Sequence, residues 1–100
     1  MAKAANRNVR TADYRGMEAR LPERIRRLSA LVFSTFLADP GHPSLRHHAL
    51  ADDGRGRHRA GSYSVSINMQ YRAIYTIDGD TNIWYWVGTH NDYEVFTGRR

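Results

Sequence analysis

One hundred residues, 41% of them apolar and 11% aromatic, make a folded chain with one core and exclude a disordered or two-domain one. With no cysteine, disulfides, thiolate metal sites and a cysteine nucleophile are excluded. No stretch nears the roughly 20 apolar residues that cross a bilayer and the N-terminus lacks a signal-peptide core, so a cytoplasmic protein without membrane contact is expected. The net charge is +5, and all but one of the 15 Lys and Arg residues are arginine. Arginine's planar fork matches phosphate oxygens, which points to nucleic acid or an acidic protein as partner. A GC-rich codon bias explains the arginine content equally well.

In chain order, Met1 to Asn8 read as a polar leader and Val9 to Ala12 as a short edge strand. Asp13 to Arg20 reads as a short helix, and Leu21-Pro22-Glu23 as a break with Pro in the first turn of the next. Ile25, Leu28, Val32 and Phe36 recur at three- and four-residue steps with Leu31 beside them, while Arg24, Arg26 and Arg27 project elsewhere. This predicts a helix from Pro22 to Ala38, roughly 25 Å long, stopped by Asp39-Pro40-Gly41. Pro40 to Gly61 reads as a basic, mobile loop. Ser62 to Asn68 alternates Tyr63, Val65 and Ile67 against serines, the pattern of a half-buried strand. Asn68-Met69-Gln70 turns it into a second strand, Tyr71 to Ile77. Asp78-Gly79 predicts a type I′ hairpin into a third, Asn82 to Gly88. The result is a single α+β domain over residues 1–100, with two N-terminal helices on a sheet of three to four strands.

Histidines at positions 42, 47, 48, 58 and 90 raise a zinc hypothesis, but His47 and His48 are adjacent rather than four apart and no HExxH pattern occurs, so no metal is expected. No GxSxG elbow supports a serine hydrolase. More informative are Arg72 on the middle strand and His90 just past the third, with Asp92 and Tyr93 following, since neighbouring antiparallel strands bring such residues to one surface. Cleaving RNA needs a base for the 2′-OH proton, an acid for the leaving 5′-oxygen and a cation on the phosphorane; histidine, tyrosine and arginine can supply these. The plainer alternatives are a solvated strand arginine, a histidine at a strand end, a packing tyrosine, and a charged loop at Arg55, Arg57 and Arg59.

Three segments carry a further likeness: Asp39-Pro40-Gly41-His42-Pro43-Ser44-Leu45-Arg46, then Tyr63 to Asn68 with Tyr71-Arg72-Ala73, then Trp84 to Tyr93. In this order, from about Val9 to Phe96, the chain resembles the RelE/ParE superfamily of bacterial toxins, in particular its RelE- or HigB-type branch. The resemblance implies two helices on a curved antiparallel sheet, a concave basic face and a cognate antitoxin that wraps it. It also implies cleavage of mRNA in the ribosomal A site by 2′-OH attack, leaving a 2′,3′-cyclic phosphate, with neither metal nor cofactor. Arg72 falls on the family's phosphate-contacting strand arginine, His90 on a histidine used as acid or base, and Tyr93 near a C-terminal aromatic. Arg46, His47 and His48 stand where the family grips the RNA backbone with lysine or arginine. Arg55, Arg57 and Arg59, in the insertion Gly54 to Arg59, are candidates to replace that charge. The superfamily also offers a ParE-like toxin acting on DNA gyrase, or a catalytically degenerate antitoxin-binding module, as alternatives.

Overall fold

The computed structural model describes residues 7–99. In chain order it contains strand β1 (Arg7–Arg10), helix α1 (Ala12–Ala19), helix α2 (Glu23–Ala38), a 3-10 turn (Pro43–Leu45), strands β2 (His48–Ala49), β3 (Ser62–Ser66), β4 (Tyr71–Asp78) and β5 (Thr81–Thr89), and helix α3 (His90–Phe96). The strands form one sheet in the order β1-β5-β4-β3-β2. All pairings are antiparallel except that of β1, which runs parallel to β5 with Val9 opposite Ile83. The α+β class therefore holds, with five strands where three to four were expected and a mixed rather than purely antiparallel sheet.

The edge strand begins earlier than its apolar pattern indicated, because Arg7 and Asn8 already pair with Thr81 and Asn82. These two residues are strand rather than leader, and the rest of the expected leader, residues 1–6, lies outside the described residues. Thr11 leaves the strand to cap α1, its hydroxyl accepting the Tyr14 N–H at 3.0 Å, a bond that satisfies one of the helix's orphan donors. Asp78 pairs with Thr81, so the β4–β5 loop is Gly79-Asp80. Only Gly79 has positive φ there, +61°, which is the type II′ pattern rather than the expected I′.

Both faces of the sheet are covered. On one, α1 and α2 bury Tyr14, Leu21, Ile25 and Phe36 against Val65, Ile67, Ala73, Tyr75, Trp84 and Val87. On the other, Leu50, Ile74, Tyr85, Trp86 and Tyr93 form a second cluster with Phe96 packed against it. Register makes the second cluster possible: Tyr75 pairs with Trp84 and Ile74 with Trp86, leaving Tyr85 as an extra residue. This bulge breaks the strict alternation, so Trp84 packs with the first cluster while Tyr85 and Trp86 both join the second.

The stretch from Pro40 to Gly61 is tied to this framework rather than running free. Leu45 and Leu50 are buried, and β2 pairs with β3. Gly56 meets the end of α3 so closely that a Cβ on it would lie 2.4 Å from the Thr97 carbonyl carbon, and the Arg57 N–H donates to the Phe96 carbonyl at 2.7 Å. Only glycine fits that approach.

Candidate RNA-cleaving site

The face of the sheet under α3 carries the candidate chemistry. Arg72 lies on β4 between Ser66 of β3 and Gly88 of β5. Thr89 ends β5 and caps α3, its hydroxyl accepting the Asp92 N–H at 3.1 Å, so the helix starts at once and places His90 and Tyr93 one turn apart. Thr89-x-x-Asp92 is a helix-start pattern that could have announced this third helix, beyond the two that were expected.

These side chains meet. The Arg72 Nε–H donates to His90 Nδ1 at 3.3 Å, and Nη1 donates to Ser64 Oγ at 3.2 Å. The guanidinium carbon sits 5.0 Å from the centre of the Tyr93 ring, a cation–π distance, and the His90 and Tyr93 rings stack at 5.8 Å. Because His90 Nδ1 accepts, the proton of the neutral imidazole is on Nε2, 3.9 Å from Glu94 Oε2. His48 joins from β2: its Nδ1–H donates to the Arg46 carbonyl at 2.8 Å, leaving the Nε2 lone pair toward the Tyr93 hydroxyl at 3.4 Å. The Arg46 backbone is left-handed, with φ 45°, and this turns its carbonyl to His48.

The adjacent histidines have opposite roles. His47 faces the other layer, its ring against Phe36, Tyr63 and Tyr75, with Nδ1–H donating to the Pro40 carbonyl at 3.1 Å and Nε2 accepting from the Tyr75 hydroxyl at 2.6 Å. Burial lowers its pKa from the ordinary 6.5, opposed by the Pro40 bond and reinforced by His48; burial likewise raises that of Tyr75. Just below pH 6.5 the unfolded chain thus binds the His47 proton more readily than the folded one, so acid favours unfolding. Stability present above pH 6.5 is expected to fall as pH drops toward the folded-state value. Urea unfolding at pH 7.5 and 5.5 checks this: the loss should be larger in the natural chain than in His47→Gln.

The other expected RNA-gripping residues are distributed around the cluster. Arg59 lies over the Tyr85 ring at 4.4 Å, its N–H donating to the Tyr85 hydroxyl at 2.9 Å. Arg46 reaches Met69, with Nη2 3.5 Å from the sulfur. Arg55 and Arg57 are exposed where the loop meets the end of α3. Sequence reasoning missed Ser64 and Glu94. The serine side of β3, read as half-exposed, is buried at Ser62, Ser64 and Ser66. Among the described residues no group of three or more His, Cys, Asp or Glu side chains is arranged to hold a metal ion, and no helix is long and apolar enough to cross a membrane.

Fold and site together define a small basic α+β protein with an arginine, a histidine and a tyrosine in mutual contact on one face of a mixed sheet, and a second histidine on the tyrosine hydroxyl. No family model and no curated protein matches the sequence. Solved structures do match in fold. A chain of the DinJ–YafQ toxin–antitoxin complex from E. coli superposes with a TM-score of 0.67 at 11% identity, over 88% of this chain and 96% of that one. The YoeB/ParE toxin from Agrobacterium tumefaciens gives 0.62 at 18% identity, over 84% and 98%. A chain of the RelB–RelE antitoxin–toxin complex from Methanococcus jannaschii gives 0.59 at 15% identity, over 85% and 93%. The fold is that of the RelE/ParE-type toxins.

Proposed function

We propose that the chain is the toxin of a type II toxin–antitoxin system: a ribosome-dependent mRNA endonuclease that uses the RNA 2′-OH as nucleophile and needs no metal ion. The observation that carries this reading is the Arg72 guanidinium bracketed by His90 and Tyr93, with His48 on the Tyr93 hydroxyl. His48 Nε2, held as a lone pair by the Arg46 carbonyl, accepts the 2′-OH proton as the 2′-oxygen bonds to phosphorus. Arg72 stabilises the charge that builds on the phosphoryl oxygens. The bond from phosphorus to the 5′-oxygen breaks, and that oxygen takes a proton from His90 in its imidazolium form. In that form both ring nitrogens donate, so His90 releases the Arg72 Nε–H to the phosphate. Tyr93 holds guanidinium and imidazole in place by its ring.

The basic surface and the toxin–antitoxin complexes among the similar structures support a cognate antitoxin as partner, with Arg46, Arg55, Arg57 and Arg59 gripping RNA and the cytoplasm as the site of action. A toxin that only binds gyrase, or a degenerate antitoxin-binding module, has no chemical use for this cluster. The test is primer extension on mRNA from translating ribosomes with and without the protein. New cuts in the A-site codon are expected. Growth arrest with intact mRNA would turn the reading to gyrase, and antitoxin binding with neither effect would leave a degenerate module.

A further inference from the structure

Three serines of β3 face the candidate site, all buried, and their hydroxyls are used differently. Ser62 donates to the Arg59 carbonyl at 2.6 Å and Ser66 to the Asn68 carbonyl at 2.8 Å, both local backbone acceptors, and Ser62 also accepts from the Tyr85 hydroxyl at 2.6 Å. Ser64 instead accepts from the Arg72 side chain. It is 0% exposed and lies in register between His48 of β2 and Ile74 of β4, on the floor of the cluster. Burying a hydroxyl costs free energy unless it is hydrogen-bonded, and here the bond goes to the residue that would meet the phosphate.

We infer that Ser64 is a positioning residue that fixes the plane of the Arg72 guanidinium for the scissile phosphate; this rests on the RNA-cleaving reading of the cluster. Arginine presents five N–H donors in a planar fork. The Tyr93 ring covers one face of that plane, and His90 and Ser64 hold two donors within it. That leaves one Nη1 hydrogen and the Nη2 hydrogens free of these two bonds, and a neighbouring pair of N–H groups on the fork can meet a bidentate acceptor such as phosphate. The two in-plane contacts are not equivalent. His90 Nδ1 accepts only while the imidazole is neutral, and the form that protonates the leaving oxygen cannot hold Arg72. Ser64 accepts whatever the state of His90, so of the two in-plane contacts it is the one that persists through proton transfer, beneath the stacking of Tyr93.

The experiment compares Ser64→Ala with Ser66→Ala in the full chain, by single-turnover cleavage of mRNA on translating ribosomes, thermal midpoint, and the ¹⁵N NMR signal of the Arg72 Nη1 group. Ser64→Ala is expected to slow the saturating rate roughly 10- to 100-fold, as small misplacements of a catalytic group do, with the half-saturating ribosome concentration little changed. Its Arg72 Nη1 signal should broaden by exchange with water, while Ser66→Ala keeps both rate and signal. An unchanged rate and signal in Ser64→Ala, or a rate loss with the signal intact, overturns the proposal. If the natural chain cuts no RNA, the endonuclease reading fails by itself, and the Arg72 signal still decides the role of Ser64.

Discussion

Replacing Arg72 with alanine is expected to slow mRNA cleavage by roughly 10²–10³-fold, the effect of removing one preorganised donor to a developing oxyanion, while leaving the fold intact. The second half of that statement follows from where Arg72 sits. It is partly exposed on β4, and its contacts are to His90, Ser64 and Tyr93, none of which belongs to the layer beneath α1 and α2. The thermal midpoint should therefore move little and the rate a great deal. Arg72→Lys separates charge from geometry: lysine restores a cation but neither the planar fork nor the two in-plane hydrogen bonds, so it should recover only a minor part of the rate. The check is single-turnover cleavage on translating ribosomes, with the melting curve of each variant beside it. A rate within a few-fold of the natural chain for Arg72→Ala would end the assignment of Arg72 to the scissile phosphate.

The reach of the sequence can be judged at particular residues. The α2 stripe of Ile25, Leu28, Val32 and Phe36 and the alternation of Tyr63, Val65 and Ile67 were legible because each runs long enough for its period to show; both are in place, with Ile25 and Val65 nearly inaccessible. What escaped has physical causes. β1 escaped in part because an edge strand of four residues that buries little carries almost no apolar period, and its parallel partner is more than 70 residues away. The two-residue strand at His48 exists only because β3 offers it an edge. The meeting of Arg72 with His90 followed from strand adjacency, but the placement of His48 on Tyr93 depends on the left-handed turn at Arg46, which no local pattern announces. The opposite roles of His47 and His48 follow from strand alternation once β2 is known. Adjacency in sequence had grouped them as one basic patch.

Phe36→Ala is expected to cost about 3–5 kcal/mol of folding stability, a large share of the roughly 5–15 kcal/mol that holds a domain of this size together. Phe36 is 4% exposed, and its ring sits edge-on to three others: Trp84 at 5.2 Å, Tyr75 at 5.5 Å and His47 at 5.6 Å. It is the residue through which α2 reaches the sheet and the 40–61 segment at once. It also walls a cavity of about 440 Å³ between α1, α2 and the sheet, floored by Val65, Ile67 and Ala73. Truncating it enlarges a space already present rather than opening a sealed one, so α2 can settle inward and the loss should fall toward the lower end of that range. Leu31, 67% exposed on the same helix, supplies the comparison: Leu31→Ala should stay within about 0.5 kcal/mol. In urea, Phe36→Ala should lower the midpoint with little change in slope. Equal effects for the two variants would mean that α2 does not dock through Phe36. The ring packs on the face of the sheet opposite Arg72 and His90, so at temperatures where the variant remains folded, cleavage should survive. Truncations at Phe36 and Arg72 should therefore act separately, one on stability and the other on cleavage, because the two side chains pack on opposite faces of the sheet.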